Sequence, residues 1–263
     1  MKRSVRDKNR REKKKRAVPF LPNFITTMSL FCGFYSIMFS LKGNYYMAAV
    51  LILIAGFIDG LDGRVARATN STSEFGKQYD SLSDAIAFGV SPAIMAYLWK
   101  LSLYGRFGFI ACFLFVACGA LRLARFNIDT TQYTSFKGLP IPAAAATVAG
   151  IVLFSHEIGA VPSWTILVGI YILSFMMVSN IRFPSFKHIG YIKAHPFQLL
   201  VAGLLVLVVV ALNPEVMIFV VSMTYLVGGI IYDSIRYLRE RSREKKEIAE
   251  TDHENLTKED HHI

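Results

Sequence analysis

The chain has 263 residues, 53% of them hydrophobic and only 18% charged, with a mean hydropathy of +0.40 and a formal net charge of +10. That balance excludes an ordinary soluble enzyme of one or two domains and points to an integral membrane protein. Cys32, Cys112 and Cys118 all fall within apolar runs without paired spacing or a nearby His, which argues against a disulfide framework or a thiolate zinc site.

In chain order, the first element is the basic run "MKRSVRDKNRREKKKR". Such a segment beside an apolar run fixes topology and attracts anionic lipid headgroups, and a nucleic-acid partner is not expected. The apolar run that follows is long and lacks a small-residue cleavage site, so it is expected to stay as the first helix rather than act as a signal peptide. Apolar runs bounded by charge, Pro or Gly then recur near 20–41, 45–66, 81–103, 106–127, 139–156, 163–180, 196–212 and 215–237. Each is close to the length that crosses a bilayer core. The expected fold is an all-α, polytopic membrane helix bundle of about eight transmembrane helices, six to eight being open because the fifth and sixth runs are short and rich in small residues. Residues 1–19 form a basic tail, 20–238 the membrane domain, and 239–263 a polar, aperiodic tail expected to be disordered.

Lysine and arginine set the orientation, because cytoplasmic flanks retain positive charge. With eight spans, 26 of the 29 basic residues fall on the side of the N-terminus, leaving only Lys42, Lys100 and Arg106 opposite. Both termini and the 59–84 connection are therefore expected on the cytoplasmic side of the cell membrane.

That connection, "DGLDGRVARATNSTSEFGKQYDSLSD", is the anomaly in an otherwise lipid-compatible chain. Asp59 and Asp62 are three apart on the end of one helix, and Asp80 and Asp84 four apart on the start of the next, so each pair shares a face. Like charges this close, at helix ends in a membrane, need cations. Carboxylate oxygens without His or Cys favour magnesium or manganese, and a set of four can hold two ions, an arrangement suited to phosphoryl transfer. Gly60, Gly63, Ala66 and Gly76 remove bulk where an anionic ligand could approach the backbone, while Arg64 and Arg67 can meet phosphate or carboxylate. Tight helix packing is the competing explanation for these small residues.

The pattern Asp59-Gly60-x-Asp62-Gly63-x-x-Ala66-Arg67, eight residues, then Gly76-x-x-x-Asp80-x-x-x-Asp84 resembles the complete signature of the CDP-alcohol phosphatidyltransferases. Within that family, "LPNFITTMSLFCGF", "LRLARFN", "FKGLPIPAAA" and "NIRFPSFK" resemble segments of the membrane-embedded CDP-diacylglycerol–serine O-phosphatidyltransferases; Ser29 departs from them, standing where many have Asn.

The resemblance implies that Asp59, Asp62 and Asp80 hold two divalent cations, Mg2+ or Mn2+, with Asp84 completing the second site and taking the proton of the acceptor alcohol. It implies that Gly60, Gly63, Ala66, Arg67 and Gly76 line the CDP pocket. The substrates would be CDP-diacylglycerol and L-serine, the products phosphatidylserine and CMP, and the assembly a homodimer in contact with membrane lipid. Glycerol 3-phosphate or an inositol compound are the alternative acceptors. For the serine carboxylate or a lipid phosphate, Arg122, Arg125, Asn127 and Lys137 are the candidates, with Arg182 and Lys187 further along; Arg122 and Arg125 rank first because they share a face at the end of an apolar span. His188 and His195 are weaker candidates than Asp84 for proton transfer. From a different class, a cation transporter also places carboxylates in a membrane, though nearer the midplane than helix ends.

Overall fold

The computed structural model describes residues 20–69, 73–128, 136–159, 161–183 and 213–260. Eight α-helices account for nearly all of them: α1 (Phe20–Leu41), α2 (Tyr45–Ala68), α3 (Glu74–Asp84), α4 (Ser91–Trp99), α5 (Arg106–Ile128), α6 (Ile141–Ile158), α7 (Ser163–Val178) and α8 (Pro214–Asp260). A π-helical stretch, Ala85–Val90, joins α3 to α4 without a break, so that Glu74–Trp99 forms one 26-residue membrane-length helix. The fold is the expected polytopic helical bundle, with six helices long and apolar enough to cross a membrane among the described residues.

The helix starts follow local chemistry. Gly43, at φ +75°, turns the chain after α1, and the side chain of Asn44 accepts from the Met47 amide to open α2. Ser73 caps α3 by accepting from the Gly76 amide at 3.0 Å, and Glu74 adds negative charge to the first turn. This polar cap starts the third helix at Glu74, ahead of the expected 81, because hydropathy marks where lipid begins and not where helix begins. α7, with 16 residues, is about 24 Å long, short of the ~30 Å of a hydrocarbon core. The run expected to span 196–212 lies outside the described residues. α8 differs from expectation in the other direction: it continues to Asp260, through the segment read as a disordered tail. Beyond Gly229 that segment has no Gly or Pro and is rich in Glu, Lys and Arg, all good helix formers that hydropathy does not register.

α1 and α2 form the most extensive helix pair. Buried hydroxyls join them: Ser36 Oγ donates to the Ala48 carbonyl at 2.8 Å and Ser29 Oγ to that of Ala55 at 3.0 Å. Such bonds between membrane helices contribute about 0.6 kcal/mol each on average. Gly33 allows α1 to touch the π-helical stretch, since a Cβ there would fall 2.5 Å from the Ala87 Cα. Around these contacts Ile52, Phe88, Met95, Phe115, Ile141, Leu153 and Met177 fill the centre of the bundle.

Alternating helix direction sorts the ends. The start of α1, the ends of α2, α5 and α7, and the starts of α3 and α6 meet at one end, through Thr26–Asp62, Ser81–Asn127, Arg125–Asn180 and the bond from the Gly138 amide to the Ile181 carbonyl. A two-residue antiparallel pair, Phe136–Lys137 with Arg182–Phe183, closes this end beside the α6 and α7 termini. Tyr46 and Glu215 bring α2 and α8 together at the other end.

Candidate active site

The aspartates meet at the first of these ends. Ligand oxygens of Asp59, Asp62 and Asp80 all lie within 4.8 Å of one another. Asp84 completes the group, its carboxyl in hydrogen-bonding reach of Asp59, as that of Asp80 is of Asp62. The placement follows from the local folding. α2 runs unbroken past Asp62, the cap at Ser73 restarts the chain as α3, and about two to three further turns bring Asp80 and Asp84 opposite their partners.

Support comes from α1. Thr26, only 4% exposed, places its hydroxyl 2.8 Å from Oδ2 of Asp62, which is itself 6% exposed. From the other side, Ser83 Oγ donates to the Thr26 carbonyl at 3.2 Å, so α1 is clamped between both aspartate-bearing helices. Thr27 and Tyr79 hydroxyls are 2.9 Å apart and tie α1 to α3 a second time. Neither Thr26 nor Tyr79 stands out in the sequence as a site residue; the signal for Thr26 is a hydroxyl on the buried face of an apolar helix.

The donor set fits a hard divalent cation. All its ligand atoms are carboxylate oxygens, and Oδ1 of Asp80 is buried with no hydrogen-bond partner among the described residues. A buried acceptor left alone is costly in free energy, and a cation satisfies it.

Space for a ligand lies beside the carboxylates. Among the described residues, a Cβ added at Gly60 or at Gly63 would meet nothing within 4 Å, so no described helix packs on these glycines and open room is left along α2. Gly76 differs, because a Cβ there would come to 3.2 Å from Asn23 Oδ1 and from Ser73 Oγ; its smallness admits the α3 cap against α1. Ala66 and Arg67 continue α2, and their side chains lie outside the described ones.

The basic and amide candidates separate. Arg122 is half-buried, within charge-interaction range of both Asp84 and Tyr225, and its Nε has no hydrogen-bond partner among the described residues. Tyr225 reaches this corner from α8, and only its position as a polar-tipped ring within an aliphatic run, "FVVSMTYLVGG", sets it apart in the sequence. Arg125 is exposed and donates to Asn180 Oδ1 at 2.9 Å, which fastens α5 to the end of α7. Asn127 is committed to α3, donating to Ser81 Oγ at 3.0 Å and to Gln78 Oε1 at 3.4 Å. The backbone of Lys137 pairs with that of Arg182, while both side chains lie outside the described ones. Lys187, His188 and His195 lie outside the described residues.

Comparison with known proteins shows the family. The family model for CDP-alcohol phosphatidyltransferase matches residues 19–231. A CDP-diacylglycerol–serine O-phosphatidyltransferase of Helicobacter pylori is 42% identical over 215 residues, covering 80% of this chain and 89% of the relative. One of the same name from Mycobacterium leprae is 37% identical over 229 residues, 82% of this chain and 76% of the relative. An archaetidylserine synthase of Methanothermobacter thermautotrophicus is 38% identical over 174 residues, 65% of this chain and 72% of the relative. With the match spanning most of the membrane bundle and all four aspartates, the chain belongs to the CDP-alcohol phosphatidyltransferase family.

Proposed function

We propose that this protein transfers the phosphatidyl group of CDP-diacylglycerol to the hydroxyl of L-serine, forming phosphatidylserine and CMP. The observation that carries the proposal is the convergence of Asp59, Asp62 and Asp80 within 4.8 Å beside open space at Gly60 and Gly63. Serine as acceptor is supported by the relatives, whose names differ in the lipid but share the serine headgroup. A transporter reading is disfavoured by the relatives, each of which is named for a transferase or a synthase.

In this reading Asp59, Asp62 and Asp80 would hold two divalent cations, Mg2+ or Mn2+, with Asp84 completing the set of carboxylates. When bound, the cations offset the charge of the diphosphate. The faces of α2 at Gly60 and Gly63 admit the CDP moiety close to the backbone. Arg122 holds the serine carboxylate with its fork and thereby turns the hydroxyl toward the phosphorus that carries diacylglycerol. Asp84 accepts the hydroxyl proton as the serine oxygen bonds to that phosphorus, and the bond from phosphorus to the CMP oxygen breaks with its electron pair going to CMP. No side chain becomes phosphorylated, because the four carboxylates are committed to cations and to the proton.

The site end carries Arg64, Arg67, Lys77, Arg122, Arg125, Lys137 and Arg182, whereas Lys42, Lys100 and Arg106 occupy the other. The positive-inside rule therefore supports a site facing the cytoplasm. The direct test is purified protein with CDP-diacylglycerol and a panel of alcohols, measuring CMP and lipid product. Phosphatidylserine formed with serine in preference to glycerol 3-phosphate and inositol is expected; preference for another alcohol would reassign the acceptor, and CMP-free cation flux would reassign the class.

A further inference from the structure

At the end of the bundle opposite the aspartates, the end of α1, the start of α2 and the ends of α4 and α6 border an open cavity of about 650 Å³. Its lining includes Lys42, Tyr45, Tyr46, Trp99, Ser155 and His156. The volume lies within the range of ordinary small-molecule sites, about 300–1,000 Å³. Helix ends and aromatic rings put the cavity at the membrane–water boundary, where Trp and Tyr commonly gather. A belt of interfacial rings accounts for the residue types but does not require a hollow between them.

The charges around the hollow are of both signs. Lys42 is exposed on the lining and, among the described residues, makes no ion pair. Lys100 Nζ sits 5.6 Å from the centre of the Trp99 ring on the rim. The two nearby carboxylates are engaged elsewhere: Glu215 accepts from the Tyr46 hydroxyl at 3.0 Å, and Glu157 lies 3.9 Å from His156 Nδ1. The Tyr46 and His156 rings, both on the lining, meet at 5.0 Å, and each partners one of those acids. Tyr45 is fixed by donating to the Leu98 carbonyl at 3.0 Å, so its ring is held in place before any ligand arrives.

Two lysines alone would attract any anion, whereas the adjacent carboxylates disfavour one. Opposite charges gathered around aromatic faces match a ligand that carries both signs. We propose that this cavity binds the headgroup of a zwitterionic phospholipid from the leaflet opposite the aspartates. Lys42 meets the phosphate, and the ammonium lies against the aromatic rings on the side of Glu215 and Glu157.

The chain's second tryptophan, Trp164, is exposed at the start of α7, so Trp164→Phe leaves Trp99 as the only indole reporter. In that background, detergent-solubilised protein is titrated with dihexanoyl phosphatidylethanolamine while Trp99 emission is followed. Parallel titrations use dihexanoyl phosphatidylglycerol, dihexanoylglycerol and inorganic phosphate. The proposal expects a saturable change with the zwitterionic lipid, weakened about tenfold or more by Lys42→Gln, the scale of one charge-assisted contact, and retained in Lys42→Arg. An absent or unsaturable change, an equal response to any of the other three compounds, or an unaltered affinity in Lys42→Gln would overturn it. Lys42 is exposed, and its charge-conserving variant separates loss of the contact from loss of fold.

Discussion

The hydroxyl of Thr26 lies 2.8 Å from Oδ2 of Asp62, although the two residues are 36 positions apart and belong to different helices. The same hydroxyl is 3.1 Å from the Pro22 carbonyl, so Thr26 links the backbone at the start of α1 to the aspartate cluster. If Asp62 holds a cation, Thr26 orients that ligand. Thr26→Val preserves shape and removes the hydroxyl, and should weaken apparent cation affinity by about 10–100-fold, the range seen for such supporting partners. Turnover measured against Mg2+ or Mn2+ concentration checks this: the half-saturating concentration should rise while turnover at saturation is largely recovered.

Asp80 carries a buried oxygen without a hydrogen-bond partner among the described residues. Asp80→Asn, and likewise Asp59→Asn, removes a negative charge from the cation-binding set, and should lower CMP release by orders of magnitude while helical circular dichroism is unchanged. Near-normal turnover at low cation concentration in either variant would contradict their assignment as ligands.

Two glycines give opposite expectations. Around Gly63 a new side chain has open space, so Gly63→Leu should keep or raise thermal stability through helix propensity while raising the KM for CDP-diacylglycerol by blocking its approach. Gly33 is pressed against Ala87, and Gly33→Val should lower stability by about 1–3 kcal/mol through overpacking. A thermal melt and a substrate titration on each variant separate ligand space from packing space.

Arg122→Lys retains the charge and loses the planar fork. If the guanidinium holds the serine carboxylate, the KM for serine should rise more than that for CDP-diacylglycerol. Equal changes in both would assign Arg122 to lipid phosphate or to structure. Arg125→Lys should change neither KM selectively, because Arg125 is already bonded to Asn180.

The aspartate constellation was legible because its spacing is local: i, i+3 and i, i+4 relations on two helices constrain which carboxylates can face one cavity. Helix positions were legible for the same reason, through continuous apolar runs. What the sequence concealed is long-range. Thr26 against Asp62, and Tyr225 beside Arg122, depend on which helix faces meet across the bundle, and the apolar background hides their polar tips. Arg122 and Arg125 are indistinguishable by spacing, yet α5 sends one toward Asp84 and the other to Asn180. The extension of α8 to Asp260 escaped a hydropathy reading because it rests on helix propensity in a polar segment.

Direct transfer, with Asp84 as the base and no phosphatidyl-enzyme, is the central chemical claim, and isotope exchange tests it most directly. Protein, divalent cation, CDP-diacylglycerol and labelled CMP are incubated without serine, and label in CDP-diacylglycerol is measured. Direct in-line attack requires the acceptor to be present before the bond to CMP breaks, so the account predicts no incorporation until serine is added. Label entering CDP-diacylglycerol in the absence of any acceptor would mean that a side chain carries the phosphatidyl group, and would contradict the role given to Asp84.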